Sequence, residues 1–95
     1  MKVASAIYQQ LGGNRFSVMT GAKGFVASEN GLTFRIPKSN QINAVRITLN
    51  GFDLYDVEFI KIHGMKVTTV KTIDNLYVDN LVEVFENTTG LYTKF

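Results

Sequence analysis

Ala44-Val45-Arg46-Ile47-Thr48-Leu49, then Asn50-Gly51-Phe52-Asp53-Leu54, then Tyr55-Asp56-Val57-Glu58-Phe59, is the stretch whose reading decides the fold. Val45, Ile47 and Leu49 share one face with Arg46 and Thr48 on the other, and Tyr55, Val57 and Phe59 alternate in the same way with Asp56 and Glu58. A period of two marks a strand with one buried and one wet face. Asn50-Gly51 invites a two-residue hairpin, but that turn pairs Leu49 with Phe52 and Val45 with Asp56, which puts a carboxylate on the core face. A one-residue slip moves every side chain to the opposite face, so the hydrophobic pattern overrules the dipeptide. A loop over residues 50–54 instead pairs Leu49 with Tyr55, Ile47 with Val57 and Val45 with Phe59. It also sets Arg46 opposite Glu58 and Thr48 opposite Asp56.

Outward from this hairpin, short β-rich runs at residues 16–20, 25–28, 32–36, 44–49, 54–63 and 65–71 alternate with Gly, Asn and Asp, which punctuate strands. Leu32, Phe34 and Ile36 alternate strictly, and Pro37, the one proline, is read as lying just past that strand, where it costs no ladder bond. Pairing Ile36 with Val45 would bring Arg35 across from Arg46. At the N-terminus Val3, Ile7 and Leu11, with Tyr8 beside them, form a helical stripe over residues 2–11 that Gly12-Gly13 stops. A last helix is expected to start at Asp74 or Asn75, either of which can cap it. Tyr77, Val78, Leu81, Val82 and Phe85 form its apolar face, Asp79, Glu83 and Glu86 its wet face, and Gly90 its end. Residues 91–95 are apolar enough to return to the body. The expected architecture is α+β, an antiparallel sheet of about five to six strands flanked by an N-terminal and a C-terminal helix.

The 95 residues suit a single domain, 1–95, and 45% hydrophobic residues with seven Phe and four Tyr supply a core. With no Cys, neither a disulfide framework nor a cysteine zinc site is available. Gln9 and Gln10 break the N-terminal apolar run before a signal-peptide core forms. No run approaches the ~20 apolar residues of a membrane span, so the expected location is cytoplasmic. The net charge of +2 is unevenly placed. Residues 1–50 carry Lys2, Arg15, Lys23, Arg35, Lys38 and Arg46 against Glu29, while residues 51–95 carry four Lys against Asp53, Asp56, Glu58, Asp74, Asp79, Glu83 and Glu86. Such asymmetry marks either a binding face or two halves that neutralise each other; the second is preferred, because Glu58 lies beside Arg46.

No constellation of residues points to catalysis. His63 is the one histidine, and nothing in its spacing ties it to Ser17 or Ser28 as a base for nucleophilic attack. Asp56 and Glu58, about 7 Å apart on one strand face, have a spacing usable in glycoside chemistry, yet a salt-bridged outer face explains them better. Asp53-x-x-Asp56 and Asp74-x-x-x-x-Asp79 lack the Gly and terminal Glu of a calcium loop. No metal or cofactor is expected. Gly12-Gly13-Asn14-Arg15 and Thr20-Gly21-Ala22-Lys23-Gly24 could cradle an anion on backbone N–H groups, although the order of a P-loop is absent. Arg15, Phe16, Lys23, Phe25, Phe34 and Arg35 interleave cations and rings as nucleic-acid platforms do, but Phe34 and Arg35 point to opposite faces of their strand. Arg15, Lys23, Arg35 and Arg46 are the candidate anion or nucleic-acid contacts. Asp79, Glu83 and Glu86 are the candidate contacts to a protein partner. Asn87-Thr88-Thr89 matches a glycosylation sequon, which carries no weight without secretion.

Leu11-Gly12-Gly13-Asn14-Arg15-Phe16, Met19-Thr20-Gly21-Ala22-Lys23, Tyr55-Asp56-Val57-Glu58-Phe59 and Thr89-Gly90-Leu91-Tyr92-Thr93 together resemble a group of small bacteriophage and mobile-element proteins. The resemblance runs through most of the chain. It brings no activity or site residue and implies a context: a bacterial cytoplasm and a phage or element gene, whose small products often bind a host or phage macromolecule. The expected function is a non-enzymatic binding module that engages a protein partner. The alternative is DNA or RNA binding through the basic N-terminal half. A sheet edge such as residues 65–71 offers a route to a homo-oligomer.

Overall fold

The computed structural model describes residues 2–91. The elements are α1 (Lys2–Leu11), α2 (Asn14–Thr20), β1 (Lys23–Ser28), β2 (Gly31–Ser39), β3 (Ile42–Leu49), β4 (Tyr55–His63), β5 (Lys66–Leu76) and α3 (Val78–Thr89). The five strands form one antiparallel meander in the order β1-β2-β3-β4-β5. The α+β class, the antiparallel sheet and the helices at both ends of the chain are as expected. The proposed return of residues 91–95 falls, beyond Leu91, outside the described residues.

The β3–β4 register is the one the hydrophobic pattern demanded: Leu49 faces Tyr55, Thr48 Asp56, Ile47 Val57, Arg46 Glu58 and Val45 Phe59. Asn50 makes the longer loop work. Its side-chain Oδ1 accepts the N–H groups of Phe52 (2.8 Å) and Leu54 (3.2 Å), its own N–H reaches the Leu54 carbonyl, and Asp53 takes the left-handed φ of 60°.

Three expectations are corrected. Residues 16–20 are helical, within α2, rather than a strand. Phe16 and Thr20 lie one helical turn apart, both buried, and a run of five residues cannot distinguish that spacing from a strand. Pro37 lies inside β2, not past it, and the β2–β3 pairing is Phe34 with Val45 rather than Ile36 with Val45. The hairpin tip, Asn40 and Gln41 at φ of 51° and 66°, does pair Ser39 with Ile42, the register that extends to Ile36 and Val45. Proline cannot donate to the ladder, and β2 gains two residues over β3 between Arg35 and Ser39. A two-residue slip leaves every side chain on its own face, so the apolar pattern could not detect it. Finally, α3 starts at Val78, after Tyr77, while Asp74 and Asn75 belong to β5. Asn75, at φ 59°, forms a bulge in which its N–H bonds the Asp56 carboxylate, and the chain then resumes pairing at Leu76 with Tyr55.

The helices cover one face of the sheet. Ile7 and Leu11 of α1, Phe16 of α2 and Leu81 and Phe85 of α3 bury themselves against Leu32, Phe34, Val45, Ile47, Val57 and Phe59. Phe34 is the hub, with ring centroids 5.4 Å from Phe16, 5.3 Å from Phe25 and 6.2 Å from Phe85. Both later helices stop in the same way. Thr20 and Thr89 each donate a hydroxyl to the carbonyl four residues back (Phe16 and Phe85) and accept the N–H two residues on. Gly21 and Gly90 then take the left-handed cap at φ of 76° and 77°. Phe-x-x-x-Thr-Gly is thus a helix stop used twice, and its two rings sit 5.1 Å apart. No helix of the described residues is long and apolar enough to cross a membrane.

Candidate binding surfaces

In a meander, alternate strands start at opposite ends of the sheet, so the sequence deals its charges to two ends. Where β1, β3 and β5 begin and β2 and β4 finish lie Lys23, Lys38, Lys61, His63 and Lys66, and Arg35, midway along β2, joins them as the partner of Lys23 across the ladder. Where β1, β3 and β5 finish and β4 begins lie Glu29, Asp53, Asp56 and Asp74, with Asp79 in the first turn of α3. Charge is sorted along the strands. Pairing between the two halves of the chain accounts for Arg46 with Glu58, at 3.7 Å in the middle of the uncovered face; it does not account for either end.

The cationic end forms two recesses that share Lys38. Lys23 and Arg35 line the first, with Gly21 and Gly24; Lys61, His63 and Lys66 line the second, and among the described residues no carboxylate lines either. Within the first recess Lys23 sits directly opposite Arg35 across the β1–β2 ladder, and in the second His63 sits opposite Lys66. Gly24, at φ 66°, belongs to a bulge in β1, and a Cβ there would lie 3.5 Å from Cγ of Arg35. The Arg35 stem therefore runs close over a backbone without a side chain. Asn43 pins this end, because its side-chain amide donates to the carbonyl of Ile62 and accepts the N–H of the same residue, both at 2.8 Å.

The acidic end is pinned by a matching asparagine. Asn50 Nδ2 donates to the Asp56 carboxylate (2.9 Å) and to Oδ1 of Asn75 (2.7 Å), tying the β3–β4 loop to the last turn of β5. Two aromatic rings emerge from the segments so joined. Phe52 is 79% exposed and Tyr77 is 66% exposed, and Val78 beside it is 43% exposed.

Of the sequence candidates, Lys23 and Arg35 come together at the cationic end, while Arg46 lies mid-sheet with Glu58 and Arg15 lies on α2. Phe16 and Phe34 are fully buried and Phe25 is partly buried against the core, so the alternating rings and cations form no stacking platform. Asp79 joins the acidic end; Glu83 and the half-buried Glu86 run away from it along α3. Ser17 is held by the Tyr8 hydroxyl at 3.1 Å, and Ser28 lies at the end of the sheet opposite His63. Among the described residues no three His, Asp or Glu side chains gather closely enough to hold a metal ion. Sequence reading missed Lys38, Lys61, Lys66, Phe52 and Tyr77 as site residues. Assigning each residue to the start or finish of its strand in a meander would have found them. Comparison with protein-family models, with curated proteins and with solved structures finds no match.

Proposed function

We propose that the protein is a non-enzymatic binding module that engages a protein partner through its acidic, aromatic end. The observation that carries this reading is the pair Phe52 and Tyr77, exposed on two segments that the Asn50–Asp56–Asn75 hydrogen bonds hold together. Exposed aromatic rings held on an ordered scaffold are the usual anchors of protein interfaces, because a ring buries a large area and loses few rotamers. Asp53 follows Phe52 directly and Asp74 and Asp79 lie within three residues of Tyr77 in the chain, so the fitting partner offers apolar pockets with a basic rim. The resemblance to small phage and mobile-element proteins supports a host or phage protein in the bacterial cytoplasm as that partner.

A photo-crosslinking residue at position 77 tests the reading. The expected result is one dominant protein adduct in host or phage-infected cells, lost when Phe52→Ala and Asp53→Lys are added. An identical adduct pattern from a crosslinker at Val26, exposed on the β1 edge, or no adduct at position 77, contradicts it.

A further inference from the structure

The geometry points to a second, separate site: the cationic end of the sheet binds the phosphate backbone of a nucleic-acid duplex without reading its sequence. A like-charge pair directly across a ladder is destabilising, and the fold sets Lys23 opposite Arg35 with no carboxylate among the described residues of the recess to neutralise them. The neighbouring recess repeats the arrangement, with Lys38, Lys61 and Lys66 around His63 and again no acid among the described residues. Internal ion pairing therefore does not explain these groups, and an external anion does.

The spread of the groups selects the anion. They sit on β1, β2, β4 and β5, and four strand spacings span roughly 19 Å. Along one strand of a duplex that length carries about five or six phosphates, close to the number of fixed cations at this end. Lysines predominate, and as point charges they hold phosphates without the planar fork that reads a guanine edge. Among the described residues no phenylalanine or tyrosine ring lines either recess. Single strands draw much of their affinity from stacking on such rings, so the regular duplex is the better fit. The same lack of rings disfavours an acidic protein, whose interface would want an aromatic anchor; the exposed apolar side chains at this end, Met65, Val67 and Val70, are aliphatic. The site draws on both halves of the chain, since Lys61, His63 and Lys66 join Lys23, Arg35 and Lys38.

Fluorescence anisotropy with a labelled 20-base-pair DNA duplex, and with one of its single strands, tests this at 50 and 200 mM salt. With about five contacts the affinity for duplex falls about 500-fold between the two salt concentrations, a log–log slope near −4.5. Lys38→Glu with Lys66→Glu flattens that slope by about 2 and weakens binding more than tenfold at low salt. The milder Lys38→Gln with Lys66→Gln pair gives a smaller loss in the same direction and serves if charge reversal unfolds the chain. Asp53→Lys with Asp79→Lys at the other end leaves binding intact or tightens it. The proposal is overturned by no duplex binding at 50 mM salt, by tighter binding of the single strand, or by a slope unchanged in folded Lys38 and Lys66 variants. Polyglutamate displacing the duplex at equal charge also overturns it, since the site would then take an acidic protein.

Discussion

At one end of the sheet an asparagine, Asn50, ties together segments that carry two exposed rings and several carboxylates; at the other, Asn43 clamps β3 to β4 beside a set of cations with no acid among the described residues of their recesses. Both ends stand on the same antiparallel ladder and the same aromatic core. The partners proposed for them differ accordingly: apolar pockets with a basic rim at one end, a line of negative charge at the other. Along the chain the charge divides by halves, but in space it divides by strand ends. A property read from composition therefore acquires its meaning only once the topology is known.

The comparison can be broken at its base. Phe34→Ala removes the ring that both ends share through the core and should cost about 3–5 kcal/mol, measured by denaturant unfolding, with binding lost at both ends together. Loss at one end alone would mean that the core does not couple them. A more selective pair of changes separates the ends. Asn50→Ala removes hydrogen bonds to Phe52, Leu54, Asp56 and Asn75, and Asn43→Ala removes the two hydrogen bonds to the Ile62 backbone. Each should cost about 1–3 kcal/mol. Hydrogen exchange should quicken at Phe52 and Leu54 in the first variant and at Ile62 in the second, with the opposite end unchanged.

Charge changes sharpen the contrast further. Lys23→Glu replaces repulsion with attraction across from Arg35 and should stabilise the fold by up to about 1 kcal/mol while duplex affinity falls. A gain in stability bought by a loss of binding is the signature of a pair kept for a ligand. Glu58→Gln should change stability least, by under about 1 kcal/mol, because the Arg46–Glu58 pair is solvated, with side chains 51% and 34% exposed. It should leave both ends unaffected in binding assays.

How far the fold could be read from sequence varied with how far a local pattern constrains it. The β3–β4 register was legible because a one-residue error would have buried Asp56. The β2–β3 register was not, because the two residues gained around Pro37 preserve the faces and so leave no trace in the apolar pattern. Helix α2 was hidden by its brevity. Its Phe-x-x-x-Thr-Gly stop, repeated at Phe85, Thr89 and Gly90, was the available clue. Two of the motifs singled out in the sequence, around Thr20-Gly21 and Thr89-Gly90, turn out to be these helix stops, so they speak for the fold and not for a site. Lys23 and Arg35 were visible as candidates, whereas Lys38, Lys61 and Lys66 were not, because only the meander brings distant strand ends together. The expected use of β5 as a docking edge meets structural resistance: Lys66 and Lys71 lie on it, and bulges interrupt its ladder twice.

The spatial sorting of charge is the claim on which both surfaces rest, and amide chemical shifts during titration of isotopically labelled protein with duplex DNA read it residue by residue. Shifts confined to Lys23, Arg35, Lys38, Lys61, His63, Lys66 and their neighbours, with Phe52, Asp53, Tyr77 and Asp79 unmoved, are the predicted result. Shifts centred on Arg46 and on Thr33 and Thr72, which pair with Arg46 and Glu58 across the ladder, or on the acidic end, would contradict it.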